Sequence, residues 1–241
     1  MVERGLASSQ EKAKALIYAG KVLVNRQAMD KPGRAVDPQA TLVVKEPESP
    51  YVSRGGVKLE KALQAFNLAV SDKVALDIGA STGGFTHCLL TKGIKRVYAV
   101  DVGYGQLAWE VRQDPRVRVL ERKNVRFLEA QEIGETADLA VVDTSFISLK
   151  LVIPALLPLI SSAASIVALI KPQFEVGKGK VGKGGIVRNP EDQAQAVEEL
   201  TVFFKNLGLE VLGLVASPLL GAKGNKEFFI HLKKGTQLDS D

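Results

Sequence analysis

Residues 76–86 read LDIGASTGGFT, which is the strongest local motif of the chain. An apolar run leads into glycines, and a helical pattern begins near Phe85. Gly79 allows a tight turn and a close approach to a ligand, because glycine has no Cβ. Gly83 and Gly84 do the same at the start of the helix, where free N–H groups can meet a polar ligand. The stretch therefore predicts a buried strand, a ligand-binding loop and a helix.

The residues between these glycines indicate which ligand the loop binds. A dinucleotide loop reads G-x-G-x-x-G, but here Ser81 replaces the second glycine, which would approach a pyrophosphate. Asp77 suits a ligand with an ammonium group, as adenosylmethionine has, and Asp101 ends the next strand, where an acid accepts hydrogen bonds from ribose hydroxyls. We therefore predict adenosylmethionine rather than NAD. The predicted cofactor residues are Asp77, Gly79, Ala80, Ser81, Thr82, Gly83, Phe85, Asp101, Asn124, Val125 and Asp143.

Apolar runs alternate with helical patterns over the rest of the chain. This alternation predicts an α/β fold with a parallel, doubly wound sheet, and the closely joined last two runs add one antiparallel strand. That topology is shared by many adenosylmethionine-dependent methyltransferases. The predicted strands are 73–80, 96–103, 116–121, 137–146, 165–172, 209–217 and 226–234.

Two polar residues end apolar runs in the middle of this sheet. Asp143 ends the fourth run and Lys171 the fifth. Ligands of doubly wound sheets lie outside the carboxyl ends of the strands, so both side chains are placed at the cofactor crevice. A lysine that closes a central strand is costly unless it is paired or functional.

The N-terminal part of the chain has a different pattern. A capping pattern at residues 8–11 opens a helix to residue 19, and short strands follow at 21–25 and 41–44. These stretches resemble the S4 RNA-binding domain, without the arginine-bearing helix with which such domains begin. We assign residues 1–46 to this domain and 47–56 to a linker. The resemblance implies that RNA phosphates and sugars are contacted by Arg4, Lys12, Lys14, Lys21 and Asn25.

The remainder, 57–235, is assigned to a methyltransferase domain that opens with a helix from Val57. Lys58 in this helix and Glu227 at the start of the last strand, taken singly, could be ordinary surface residues. Together with Asp143 and Lys171 they resemble the K-D-K-E tetrad of 2′-O-ribose methyltransferases of the FtsJ/RrmJ class. With the S4-like start, the chain resembles the TlyA (hemolysin A) family of ribosomal RNA 2′-O-methyltransferases. The motifs are SRGGVKL, DIGASTGGFT, DTSFISL, KPQFE and NKEFFIHL.

The resemblance implies a role for each member of the tetrad. Lys171 takes the proton of the ribose 2′-hydroxyl, and burial together with the neighbouring cation Lys58 favours the neutral amine that this requires. Asp143 positions Lys171 near the sulfonium of the donor, and Glu227 orients Lys58 or the substrate sugar. The implied substrate is cytidine in ribosomal RNA.

A glycine-rich stretch at 175–190 follows the fifth strand. Its cations predict contact with the RNA backbone, and a solvated loop is an equally good interpretation of its composition. The composition of this segment predicts a mobile loop above the site. The cations are Lys178, Lys180, Lys183 and Arg188.

Composition limits the remaining classes of protein. The net charge of +5 fits a nucleic-acid partner or a solvated basic surface, and two histidines with one cysteine argue against a zinc site, so no metal is predicted. One cysteine excludes an internal disulfide, and with no secretory signal at residues 1–14 this predicts a cytoplasmic protein. We expect packing roles for Phe85, His87, Cys88 and Trp109.

One stretch could be mistaken for a membrane span. Residues 151–170 carry no charge, but two prolines and a serine pair interrupt them, so we predict a buried helix followed by a central strand.

The alternatives to an RNA methyltransferase are a non-catalytic RNA-binding protein of the same fold and a membrane-active hemolysin. The sequence leaves the modified nucleotide and the oligomeric state open.

Overall fold

A computed structural model describes residues 1–18, 20–44, 49–221 and 223–234, with the side chain of Lys178 outside the description. The chain divides into two compact units, Met1–Pro50 and Tyr51–Asp241. Each unit is described by itself below. Residues 45–48, which include the end of the expected first domain and the first two residues of the expected linker, lie outside the described residues.

The first unit packs one helix on a small antiparallel sheet. Its elements are α1 (Gln10–Tyr18), β1 (Val22–Val24), β2 (Gln27–Met29) and β3 (Leu42–Val44), in the sheet order β2-β1-β3. Ser9 Oγ accepts a hydrogen bond from the Lys12 amide at 3.1 Å, which caps α1 as the sequence predicts. Ala13 and Leu16 on α1 pack on Val22, forming a small core.

Strand β2 was not predicted. Its residues Gln27, Ala28 and Met29 are short of β-branched or aromatic side chains, and two of the three are exposed. Asn25 and Arg26 both have positive φ, at 49° and 68°, and join β1 to β2 as a tight two-residue hairpin. This turn, rather than apolar alternation, forms the strand.

The second unit is built on a seven-stranded mixed sheet. Its order is β6-β5-β4-β7-β8-β10-β9, and β10 runs antiparallel to both of its neighbours. The prediction of a mostly parallel sheet with one antiparallel strand is confirmed. The strands are β4 (Val74–Ile78), β5 (Arg96–Asp101), β6 (Val117–Glu121), β7 (Ala137–Val142), β8 (Ile160–Ile170), β9 (Leu209–Ala216) and β10 (Phe228–Lys234).

Helices cover both faces of this sheet and bury its apolar side chains. Leu59, Leu63 and Leu89 come from helices on one face, and Ile153 and Phe204 from helices on the other; all are 3% exposed or less. The helices are α2 (Arg54–Ala65), α3 (Gly84–Thr91), α4 (Trp109–Arg112), α5 (Ala130–Ile133), α6 (Leu149–Leu156), α7 (Pro172–Glu175) and α8 (Pro190–Asn206).

The uncharged stretch 151–170 is divided between α6 and the central strand β8, as predicted. In the described residues we find no helix with both the length and the apolar character that crossing a bilayer requires.

Two local expectations were wrong. Helix α2 begins at Arg54 rather than at Val57, because Ser53 caps it by accepting a hydrogen bond from the Gly55 amide. Gly56 lies inside this helix because the Tyr51 ring fills the space of a side chain: a Cβ on Gly56 would lie 2.3 Å from Tyr51 Cγ. Trp109 is not a packing residue, since it opens α4 with its side chain 73% exposed.

Candidate active site

The candidate site lies at the edge of the sheet where β4, β7 and β8 end. Because β10 is antiparallel to β8, it starts at this same edge. Loops from four strands therefore meet there, around a cavity of ≈ 540 Å³. The four residues of the predicted tetrad, Lys58, Asp143, Lys171 and Glu227, all line this cavity.

Lys58 and Glu227 form a buried ion pair. The distance from Lys58 Nζ to Glu227 Oε2 is 2.6 Å, and the two side chains are 11% and 4% exposed. Lys58 lies one turn into α2, and Glu227 directly precedes β10. The carboxylate reaches this position because residue 221 is glycine: a Cβ there would lie 2.3 Å from Glu227 Oε1.

Lys171 and Asp143 form a second ion pair at the ends of β8 and β7. Lys171 Nζ lies 2.6 Å from Asp143 Oδ1 and donates a hydrogen bond to Ser145 Oγ at 2.9 Å. The Lys171 side chain is 11% exposed, so the amine is largely removed from bulk water. Two lysine–carboxylate pairs from four distant elements thus lie at one cavity.

The glycine loop after β4 lies directly against the end of β7. The Asp143 amide donates to Ile78 O at 2.9 Å, and a Cβ on Gly79 would lie 2.6 Å from the Asp143 carbonyl oxygen. Gly79 also has a φ of +84°, a conformation that side chains rarely adopt. Glycine at this position is required for the loop to meet the Asp143 segment.

The cavity includes part of the predicted cofactor set. Six of the eleven predicted residues line it: Gly79, Ala80, Ser81, Thr82, Phe85 and Asp143. Among the described residues that line the cavity we do not find Asp77, Gly83, Asp101, Asn124 or Val125. The loop residues from Gly79 to Thr82 therefore face the cavity, and Asp101 is hydrogen-bonded to one of them, Ser81.

Asp77 is fully buried below the loop. Its Oδ2 accepts a hydrogen bond from Thr86 Oγ1 at 2.6 Å, and its Oδ1 has no hydrogen-bond partner among the described residues. Burial, with a smaller contribution from the charge of Asp143, raises the pKa of Asp77 to about 7. An acid in this setting holds a proton near neutral pH. Its hydrogen bond with Thr86 connects it to the first turn of α3, directly after the glycine loop.

Asp77 should make stability depend on pH. Its pKa is higher in the folded chain than its ordinary value of 3.8, so the proton favours folding, and this stabilisation is lost as the pH rises toward 7. The Asp77→Asn variant lacks this loss. The unfolding free energy of the variant minus that of the unmutated protein should therefore increase between pH 5 and pH 8. Urea titrations measure both free energies. The surface variant Asp72→Asn should show a constant difference, and a constant difference for Asp77→Asn would contradict the buried acid.

Asp101 is engaged by the two loops beside it. Its two carboxylate oxygens accept hydrogen bonds from the Ser81 and Gly103 amides, both at 2.7 Å. Each oxygen keeps a second lone pair, so a ribose hydroxyl can still bind. Asn124 accepts a hydrogen bond from the Arg126 amide at 3.1 Å, and Val125 is buried in the core. These two residues support the turn after β6.

The sequence did not indicate the aromatic wall of the cavity. Phe146 is 88% exposed, has a φ of 63° and packs on Phe174 with ring centroids 5.0 Å apart. Its strained backbone at a cavity wall is typical of functional sites, and an exposed ring offers a surface on which a base can stack. Arg54, Ser145 and Lys223 also line the cavity without having been predicted. A φ above zero at a phenylalanine leaves no signal in the sequence.

Glu175 connects the two segments that carry the second ion pair. From α7, just after Lys171, it accepts hydrogen bonds from Ser148 Oγ at 2.5 Å and the Leu149 amide at 2.9 Å. Both donors lie at the start of α6, directly after the Asp143 loop. Burial raises the pKa of the Glu175 carboxyl, and the hydrogen bond from Ser148 opposes this shift. Glu175 thus fixes the spacing between the loops after β7 and β8.

The cations predicted to contact RNA fall into several settings. Lys180 is paired with Asp192 at 2.8 Å, whereas Lys183 and Arg188 are exposed; the Lys178 side chain lies outside the described residues. In the first unit, the Arg4 guanidinium donates to the carbonyl oxygens of Pro38 and Ala40. Asn25 Oδ1 accepts a hydrogen bond from the Thr41 amide at 2.8 Å. Lys12 and Lys14 are exposed, and Lys21 is half-buried.

Comparison with protein families gives two matches. Residues 51–234 match the FtsJ-like methyltransferase family, and residues 1–42 match the S4 domain. Together they account for both units of the structure.

Curated relatives are similar over most of the chain. The 16S/23S rRNA (cytidine-2′-O)-methyltransferase TlyA of Mycobacterium tuberculosis is 51% identical, over 98% of this chain and 88% of the relative. Hemolysin A of Brachyspira hyodysenteriae is 39% identical, over 94% of this chain and 95% of the relative. A solved structure from Streptococcus thermophilus is 46% identical with a TM-score of 0.79, covering 97% of this chain and 86% of that one.

Proposed function

Because the chain belongs to the FtsJ-like methyltransferase family, we propose that it transfers a methyl group from adenosylmethionine to a ribose 2′-hydroxyl of ribosomal RNA, with cytidine as the target. The observation that carries this proposal is the meeting of two lysine–carboxylate pairs at one cavity, beside the glycine loop. A cavity at which paired lysines and carboxylates meet supplies groups that can take part in proton transfer.

The residues around the glycine loop fit adenosylmethionine. Gly79 lets the loop lie against the Asp143 segment, where a Cβ would clash. The loop lines the cavity from Gly79 to Thr82 without the second glycine of dinucleotide loops. Asp143 places a carboxylate on the cavity wall next to this loop, which suits a cationic ligand. When bound, adenosylmethionine supplies an electrophilic methyl group and leaves as a neutral thioether.

Lys171 is the general base of the proposed reaction. The ribose 2′-oxygen forms a bond to the methyl carbon as its proton passes to Lys171 Nζ, which must be uncharged at that moment. Asp143 and Ser145 fix the amine at 2.6 and 2.9 Å, so its lone pair has a defined direction. General-base help of this kind contributes about 10²–10⁴ in rate, and holding the hydroxyl in line contributes further.

Lys58 and Glu227 position the substrate sugar. Their pair lies on the β10 side of the cavity, across β8 from the Asp143 loop after β7. Both groups retain hydrogen-bonding capacity toward a ribose hydroxyl, Lys58 as a donor and Glu227 as an acceptor.

The S4 unit is the proposed anchor on ribosomal RNA. The exposed Lys12 and Lys14 lie on α1, and Lys183 and Arg188 lie in the glycine-rich segment after β8. Lysine and arginine contacts of this kind bind phosphates and position the protein without reading sequence. We therefore expect binding to weaken steeply as salt concentration rises.

A direct transfer assay tests the function. Purified protein is incubated with methyl-labelled adenosylmethionine and ribosomal RNA from cells that lack the protein, and modified sites are mapped by alkaline hydrolysis, which 2′-O-methylation blocks. We expect label at discrete cytidines, and RNA from cells that contain the protein should accept little more. Label on bases, or no transfer to either RNA, would contradict the proposal; release of dye from lipid vesicles would instead support the hemolysin alternative.

A further inference from the structure

A short segment after β8 forms part of the cavity wall. Residues 182–187, here called the strap, fold back on themselves: the Gly182 amide donates to Ile186 O at 3.0 Å, and the Gly185 amide donates to Gly182 O at 3.0 Å. Gly184 and Gly185 have φ of 83° and 79°, which makes the reversal possible. Gly185 lines the cavity, whereas the composition of this segment alone had predicted a mobile loop.

Two buried amide side chains hold the end of the strap. The Val187 amide donates to Asn225 Oδ1 at 2.9 Å, and Val187 O accepts from Gln193 Nε2 at 2.7 Å. Asn225 Nδ2 also donates to Gly185 O at 2.9 Å. Asn225 is 2% exposed and Gln193 7%, so water does not replace these bonds. Among the described residues, the side-chain hydrogen bonds of Asn225 and Gln193 all go to the backbone of the strap, which indicates that its position is specified.

Asn225 also belongs to the segment that carries Glu227. Its carbonyl oxygen accepts a hydrogen bond from the Gly221 amide at 2.8 Å, and Gly221 packs on the Glu227 carboxylate. The Asn225 side chain therefore joins the strap to the segment that presents Glu227 to Lys58.

The strap lies on the substrate side of the cavity. It is hydrogen-bonded to Asn225, which precedes β10, whereas the glycine loop follows β4. With β7 between β4 and β8, the two sides are separated by two to three strand spacings, on the order of 10–15 Å. A displacement of the strap should therefore affect binding of the target nucleotide more than binding of the methyl donor.

We propose that Asn225 is a positioning residue that fixes the strap as the substrate wall of the cavity, so that the target nucleotide is held against Glu227 and Lys58. This inference rests on the proposed function. The Asn225 amide must both accept and donate to do this, which an aspartate cannot do, since a carboxylate beside the Gly185 carbonyl has no proton to give.

Two variants release the strap from different sides. Asn225→Ala removes the bonds from the β10 side, and Gln193→Ala removes the bond from α8 without altering residues 221–227. Both should raise the KM for ribosomal RNA by about 10–100-fold, because small displacements of positioning groups have effects of this size. The kcat and the affinity for adenosylhomocysteine, measured by calorimetry, should change little. Asn206→Ala, at the exposed end of α8, is the matched control.

Limited proteolysis gives a result that does not depend on activity. Trypsin can cut after Lys180, Lys183 and Arg188, in and beside the strap. Cleavage there should be several-fold faster in both variants than in the native chain or the control, with no change elsewhere. Native-like cleavage at these sites, or a loss of cofactor affinity equal to the loss in RNA affinity, would overturn the inference. If the native protein methylated no RNA, the proposed function would fail while the proteolysis result could still stand.

Discussion

Lys171→Ala should lower the rate of methyl transfer to ribosomal RNA by about 10²–10⁴-fold, the contribution expected of a general base. The variant loses the amine that Asp143 and Ser145 hold at the cavity. The glycine loop does not contact this amine through any hydrogen bond among the described residues, so cofactor binding should persist. Single-turnover transfer, calorimetry with adenosylhomocysteine and filter binding of RNA measure the three quantities separately.

Lys150→Ala is the matched control for this variant. Lys150 forms an exposed pair with Glu199 at 3.4 Å on the surface of the same domain, so its removal should leave the rate unchanged. A Lys171→Ala protein with more than about one tenth of native activity would contradict the role of base. A variant that bound neither cofactor nor RNA would show that the lysine is needed for folding of the site instead.

Lys58→Met should destabilise the folded protein by about 3–5 kcal/mol, because it leaves a buried carboxylate without its partner. Glu227 is 4% exposed, and its ion pair with Lys58 is the contact that offsets the cost of removing both charges from water. The double variant Lys58→Met/Glu227→Leu removes both charges and should recover most of the lost stability. Both variants should lack activity. Urea titrations give the free energies, and the transfer assay gives the activity.

Lys61→Ala provides the comparison on the same helix. Lys61 is exposed and contacts Gln64 at 3.2 Å, so its loss should change stability by less than about 0.5 kcal/mol. An active double variant would show that the pair is structural only. A Lys58→Met variant as stable as Lys61→Ala would show that Glu227 finds another partner.

The fold of the second unit could be predicted because each central strand is an apolar run bounded by turn residues. All seven strands of this sheet, including the antiparallel last strand of the chain, follow from that pattern. Helix α2 was placed three residues late because Gly55 and Gly56 read as a linker, although the packing of Tyr51 on Gly56 requires glycine there. Strand β2 depends on a turn and not on apolar residues, so composition could not indicate it.

The candidate site could be predicted only in part. The polar ends of β7 and β8 follow from topology, and resemblance supplied Lys58 and Glu227 as candidates. No pattern gives the pairing of these side chains, nor the close packing of Gly221 that admits Glu227. The exposure of Phe146 and the burial of Asn225 are tertiary results, since the same residue types are usually found in the opposite settings.

The position of β10 in the sheet has a consequence for synthesis of the protein. Among the strands in the described part of the chain, β9 pairs only with β10, and β10 lies between β9 and β8. During synthesis on the ribosome, β9 therefore has no neighbouring strand to pair with until β10 has been made. Glu227, which directly precedes β10, is added at the same late stage. A nascent chain consequently gains its last structural strand and its last site residue in one step, so a truncated product is left with neither.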